Sequence, residues 1–278
     1  MGINDLNNLP ELTGEQKKEL DDLRAQYSGY FQVLGDCLAG FADLPKNEAW
    51  VAAQILDVLQ TTDLENLAAQ TGLAMILGYG SFNEQTALAV AHGMYDWDLE
   101  HGPGSPDPVV AQLSGFTDPL TGAKVRDPNE GGLRILLNNP GAATKFFTDP
   151  QVGSSTVTVN GATAPVNNRL QWVMNRAWAD GGISAGLALY AASVPAPGQP
   201  ASQAQAQVAS QAAGYAAWCY QELALHGTGF GLGPGLARGW QRSWVPTRWI
   251  ASRSPTIRAS ILIWVVAITL LMESMVWG

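Results

Sequence analysis

His92, Asp96 and Glu100 stand at i, i+4 and i+8 of one predicted helix, with Asp98 and His101 beside them. Imidazole and carboxylate donors suit a divalent metal, and four-residue steps put all three on one helix face. The segment lacks the second histidine, four positions on, that marks a zinc-binding helix. A polar, solvated helix face with local histidine–carboxylate contacts accounts for the same residues, and the missing histidine favours it. Ser81 follows Gly78-Tyr79-Gly80 without the Gly-x-Ser-x-Gly elbow of a nucleophile, so it is expected as a turn residue or cap. No catalytic motif emerges, and no cofactor is expected.

Residues 227–235, Gly-Thr-Gly-Phe-Gly-Leu-Gly-Pro-Gly, place glycine at every second position. That spacing misses Gly-x-Gly-x-x-Gly, no Lys-Ser/Thr follows, and no strand is predicted before it, so a flexible hinge is expected instead of a phosphate loop. Five arginines and three tryptophans between Arg238 and Arg258 could grip phosphates and stack bases. The acidic remainder would repel a polyanion, so nucleic acid is not expected as a partner. Cys37 and Cys219 are too few for a structural zinc site and are expected as buried helical thiols. Whether they pair is left open by spacing alone.

The elements that position these residues read mostly as helix. Thr13-Gly14-Glu15-Gln16 is a capping box, followed by an apolar stripe of Leu20, Leu23, Tyr27, Tyr30, Phe31 and Leu34 on a helix ending near Gly40. Asn47 can cap a second helix through Leu59, Thr62 or Asp63 a third to Gly78, and Asn83 a fourth from Glu84 to about Glu100. Short connections favour antiparallel neighbours, so residues 1–100 are expected to form an N-terminal helical bundle. Residues 101–108 are a breaker-rich linker, and a second helical segment is expected over 109–226. In it Asn139 caps a helix with Pro140 at its first position. Thr156–Thr163 alternates around Asn160-Gly161, a hairpin signal. Helices are expected at 168–179, 182–193 and 201–226, the last rich in Ala and Gln.

Leu137-Asn138-Asn139-Pro140-Gly141-Ala142-Ala143-Thr144-Lys145-Phe146-Phe147, Arg169–Met174 and Trp178-Ala179-Asp180-Gly181-Gly182, with Gly186 and Ala188, resemble the motifs of a family of uncharacterised actinobacterial helical domains. The resemblance covers about residues 30–226. It implies an all-helical domain of proteins associated with type VII (WXG-type) secretion, and it brings no catalytic residue. The family's usual ending, an acidic amphipathic helix, is missing after about Gly227.

There the composition also changes. Residues 1–226 hold 10 Lys/Arg and 23 Asp/Glu, a balance of −13, whereas residues 227–278 hold five Arg and one Glu, a balance of +4, with five of the ten tryptophans. Ala259–Met272 are 14 uncharged residues that as a helix span about 21 Å, and extension to Gly278 reaches about 30 Å. Ile261, Ile263, Trp264, Val265, Val266, Ile268, Leu270 and Leu271 are its membrane-facing candidates. The preceding arginines orient such a span with the N-terminal domain in the cytoplasm. Two alternatives stay open: a buried or partner-binding helix, and an out-of-frame reading of a GC-rich gene. No basic n-region precedes an apolar run at the N-terminus, so export would use a non-Sec route, and Leu6 stands where a myristoylation motif needs Ser or Thr.

The expectation is a mainly α protein, a helical bundle with one small β-hairpin near 156–164, a Gly/Arg/Trp-rich linker over 227–258 and a hydrophobic C-terminal helix over 259–278. Its function is expected to be non-enzymatic interaction with a protein partner or with itself, with a membrane tether through the C-terminal segment. The alternative is a metal-binding or hydrolytic module built on His92, Asp96 and Glu100.

Overall fold

A computed structural model describes residues 13–61, 66–101, 116–118, 124–125, 127–176 and 178–226. The hinge at 227–235, the Arg/Trp run, the segment from Ile261 to Leu271 and most of the 101–108 linker lie outside the described residues. Those described are mostly helical. In chain order they are α1 (Gly14–Ala42), α2 (Glu48–Leu59), α3 (Leu67–Ile76), α4 (Glu84–His101), β1 (Phe116–Thr117), β2 (Lys124–Val125), α5 (Pro128–Arg134), α6 (Pro140–Thr148), β3 (Ser154–Val159), β4 (Ala162–Asn167), α7 (Asn168–Asn175), α8 (Ile183–Ser193) and α9 (Gln203–His226). Two antiparallel ladders occur where one was expected: β1 with β2, and β3 with β4.

The helix starts follow from short polar side chains that satisfy amides left open at each N-terminus. Thr13 and Gln16 form the reciprocal capping box of α1. Asn83 Oδ1 accepts from the Thr86 amide at 2.8 Å to open α4, and Asn139 Oδ1 accepts from Ala142 at 2.9 Å to open α6. Asn47 departs from its expected role: its side chain makes no cap bond to α2 and instead donates to the Phe41 carbonyl at 3.2 Å. Asp127 and Glu130 form a second capping box, around α5, with Pro128 opening the helix. Asn160 and Gly161 both take positive φ, 49° and 82°, the pairing that a two-residue β3–β4 turn requires.

The chain divides into two compact units between Ala143 and Thr144, not at the expected 101–108 linker. The physical reason is α5. All seven of its residues are buried, and it packs on α3 and α4 within the N-terminal unit. Two glycines allow this approach. A Cβ on Gly131 would sit 3.0 Å from Ala74 Cα, and one on Gly132 would sit 2.7 Å from Met94 Cβ. The core of this unit joins Val51, Ile55 and Leu59 of α2, Ala74 and Met75 of α3, Val90 and Met94 of α4, and Leu133, Ile135 and Leu136. In the C-terminal unit α9 packs on α8, β3 and β4. Phe146, Phe147, Val166, Leu170, Val173 and Leu189 fill its core.

The closest approach in the N-terminal unit is between α1 and the turn after α3. A Cβ on Gly35 would fall 2.5 Å from the Gly80 backbone nitrogen. Gly35→Ala therefore forces backbone to move and is expected to destabilise the protein by about 1–3 kcal/mol. Urea unfolding followed by circular dichroism checks this; an unchanged midpoint refutes the close approach.

Candidate interaction surface

His92, Asp96 and Glu100 lie on α4 as expected, His92 half-buried and the two carboxylates exposed. Eight residues of helix separate the first from the last, a rise of about 12 Å, so the three cannot converge on one ion whose ligand bonds are near 2 Å. Among the described residues no group of three or more His, Cys, Asp or Glu side chains is placed to hold a metal. The two neighbours are engaged elsewhere. Asp98 turns inward and accepts from Asn129 Nδ2 at 3.0 Å, and His101 stacks on Trp97 with ring centroids 4.9 Å apart. Ser81 is exposed in the turn before α4.

The strongest electrostatic feature of the N-terminal unit was not foreseen. Arg134 Nη2 donates to Asp118 Oδ2 at 2.6 Å with both side chains buried, and the Tyr79 hydroxyl donates to Asp118 Oδ1 at 2.5 Å. Burial, reinforced by the Asp118 carboxylate, pushes the Tyr79 phenol well above its ordinary range. It therefore stays a neutral donor. Gly78 makes room for the cation: a Cβ there would meet the guanidinium at 3.0–3.3 Å. Asn138 Nδ2 donates to the carbonyls of Gly78 and Gly80, and Asn139 Nδ2 to that of Phe82. The ion pair is enclosed, and Asn138 and Asn139 at its margin are tied to backbone carbonyls, an arrangement that fixes a loop.

The motif residues of the C-terminal unit are likewise structural. The Asp180 carboxylate accepts from the amides of Gly182, Ile183 and Ser184 at 2.7–3.1 Å and opens α8, while Gly181 and Gly182 adopt φ of 76° and 80°. Trp178 Nε1 donates to the Val173 carbonyl at 2.8 Å, and the Arg176 guanidinium lies 4.7 Å from the Trp178 ring centroid. Arg169 binds Asp149 at 3.0 Å and the Phe146 carbonyl at 3.1 Å, with its guanidinium over the Phe146 ring.

Among the described residues the structure leaves several large apolar side chains open to solvent. The expected α1 stripe is only partly a buried face: Leu20 is buried and Leu23 and Phe31 are half-buried, whereas Tyr27, Tyr30 and Leu34 are exposed. Leu20, Gly35, Ala39 and Ala42 are the buried residues of this helix, whereas Tyr27, Tyr30, Val33, Leu34, Phe41, the following Leu44 and Trp50 of α2 are 44–62% exposed. Tyr27, Tyr30, Leu34, Cys37, Phe41 and Leu44 recur at steps of three, four, three, four and three. From Tyr27 to Phe41 this is the heptad spacing of a seam that packs on another helix, and Leu44 follows just past the helix end. Cys37 is exposed within it, against the expectation of burial, while Cys219 is buried, and neither thiol is in a disulfide. Aromatic pairs brace the surface: Tyr27 meets Tyr30 edge-on at 6.2 Å and Phe41 meets Trp50 at 5.9 Å. The 3–4 spacing was legible in the sequence; that the glycine and alanine side of the helix would face the core was not.

Comparison of the chain with protein-family models, with curated proteins and with solved structures finds no match.

Two outcomes test these placements. Arg134→Met strands a buried carboxylate and is expected to cost about 3–5 kcal/mol, much of it restored by adding Asp118→Leu; equal stabilities of the single and double variants in urea would sink the pairing. Burial pushes the Cys219 thiol up to about 11 and the Tyr215 phenol, which donates to Asn175 Oδ1, up to about 12. Their neutral forms support the fold below the ordinary values of 9.0 and 10.0, and that support is lost as pH rises toward 11 and 12. At pH 8 a chromogenic disulfide reagent should therefore modify Cys37 rapidly and Cys219 at least ~100-fold more slowly until the protein is unfolded.

Proposed function

We propose that this chain is a non-enzymatic helical interaction protein whose working surface is the exposed seam of α1. The observation that carries the reading is the heptad-spaced row from Tyr27 to Leu44, with Trp50 beside it, left open to water. Monomeric soluble proteins seldom expose a contiguous apolar patch of this extent unless something covers it. The metal-binding alternative gains nothing from the geometry, because His92, Asp96 and Glu100 are spread along α4.

The resemblance of residues 137–147 and 169–188 to domains of type VII secretion-associated proteins supports placing the chain in that setting. The C-terminal segment with Ile261, Ile263 and Trp264 then acts as a membrane tether, or the chain leaves by a non-Sec route. No described helix is long and apolar enough to cross a membrane, so the tether reading rests on residues 259–278 alone.

A photoreactive residue in place of Leu34 should give protein adducts, and one in place of Glu100 on α4 should not. Equal labelling from both positions would remove α1 as the docking surface. On fractionation, full-length protein should sediment with membranes while a chain ending at Gly227 stays in the supernatant. If both remain soluble, the tether fails.

A further inference from the structure

The shape and chemistry of the α1 seam narrow what covers it. We infer that, given a docking role for α1, its occupant is α1 of a second copy, packed antiparallel across a two-fold axis near Asp36. Three observations lead there.

First, the exposed surface is of the right size. Tyr27, Tyr30, Val33, Leu34, Phe41, Leu44 and Trp50 are about half-exposed. At ~150–250 Å² for each whole aromatic side chain they offer on the order of 700 Å². A standard interface takes about 800 Å² from each partner. A small peptide would leave much of the row wet, whereas a helix of equal length covers it.

Second, the row complements itself. In a heptad seam each side chain fills a hole on the facing helix. Run antiparallel, Leu34 of one copy faces the small Cys37 of the other, and Tyr30 faces Phe41. Large thus meets small at the centre, with aromatic pairs on either side of it. Run parallel, each residue faces its own copy. Tyr27, Tyr30 and Phe41 would then crowd like against like, and paired Cys37 side chains would leave a void between larger layers. Antiparallel helices also set their dipoles head to tail.

Third, the two-fold operation buries the same patch on both copies. Association through this seam therefore closes at two.

The test uses the full chain in a mild non-ionic detergent. Sedimentation equilibrium should give twice the 29.5 kDa chain mass. Leu34→Glu should shift the protein to monomer with unchanged circular dichroism, because Leu34 is exposed and its loss leaves the core intact. Cys219→Ala keeps spin labels to chosen sites. A label on Cys37 should then show an inter-chain distance under ~20 Å. A label at Leu23, in a chain that also carries Cys37→Ala, should show ~40 Å, from 1.5 Å of rise per residue on each side of the axis. Short distances at both sites would overturn the antiparallel arrangement. A dimer indifferent to Leu34→Glu would overturn the seam as its interface. A monomeric wild type overturns the inference outright. If that monomer still gives Leu34 adducts with another protein, the docking role survives alone; if it gives none, both fall.

Discussion

The N-terminal unit depends on one buried ion pair. Transferring Asp118 and Arg134 from water carries a large desolvation penalty, which close contact and a donor for each carboxylate oxygen offset. Meeting that condition dictates the surroundings. Gly78 must lack a side chain so that the guanidinium fits, and Tyr79 must stay protonated to donate to the second carboxylate oxygen. The turn so shaped brings Gly80 outward, and Gly35 of α1 closes on it. Helix α1 is therefore held by its small residues. Leu20 stays buried and Phe31 packs on Tyr79, but Tyr27, Tyr30, Leu34 and Phe41 are left exposed, which is how part of a stripe that looks like core becomes surface.

Local chemistry was readable from residue types because it acts over three or four positions. The Thr13 box, the Asn83 and Asn139 caps, the Asn160-Gly161 turn and the limits of most helices all belong to this kind. Long-range facts left no comparable mark. Asp118 and Arg134 are sixteen positions apart and Tyr79 is thirty-nine from Asp118. Helix α5 was hidden by its two glycines, which disfavour helix in isolation but permit close packing in the fold. Its Asp127–Glu130 box was the signal that could have revealed it. The sign of the α1 stripe, in or out, was invisible because spacing reports which residues share a face and says nothing of what that face meets.

The metal candidate shows the same limit. Four-residue steps do align side chains, yet alignment along a helix is not convergence on a point. Two steps exhaust the reach of a single ion. The residues around it made better use of their chemistry: Asp98 joins Asn129 inside, and His101 folds back on Trp97.

Helix α9, an Ala/Gln run of little evident specificity, has a defined task in the C-terminal unit. Gln221 accepts from the Asn160 amide at 2.9 Å and donates to the Thr158 carbonyl at 3.4 Å, and Gln211 accepts from the Asn167 amide at 3.0 Å. A glutamine side chain ends in the same carbonyl and N–H groups as a peptide bond. Gln221 thus pairs backbone on the β3 side and at the turn, and Gln211 pairs the end of β4, as groups of a neighbouring strand would. At these points the hazard of a lone hairpin, strand addition, is met by side chains of a helix.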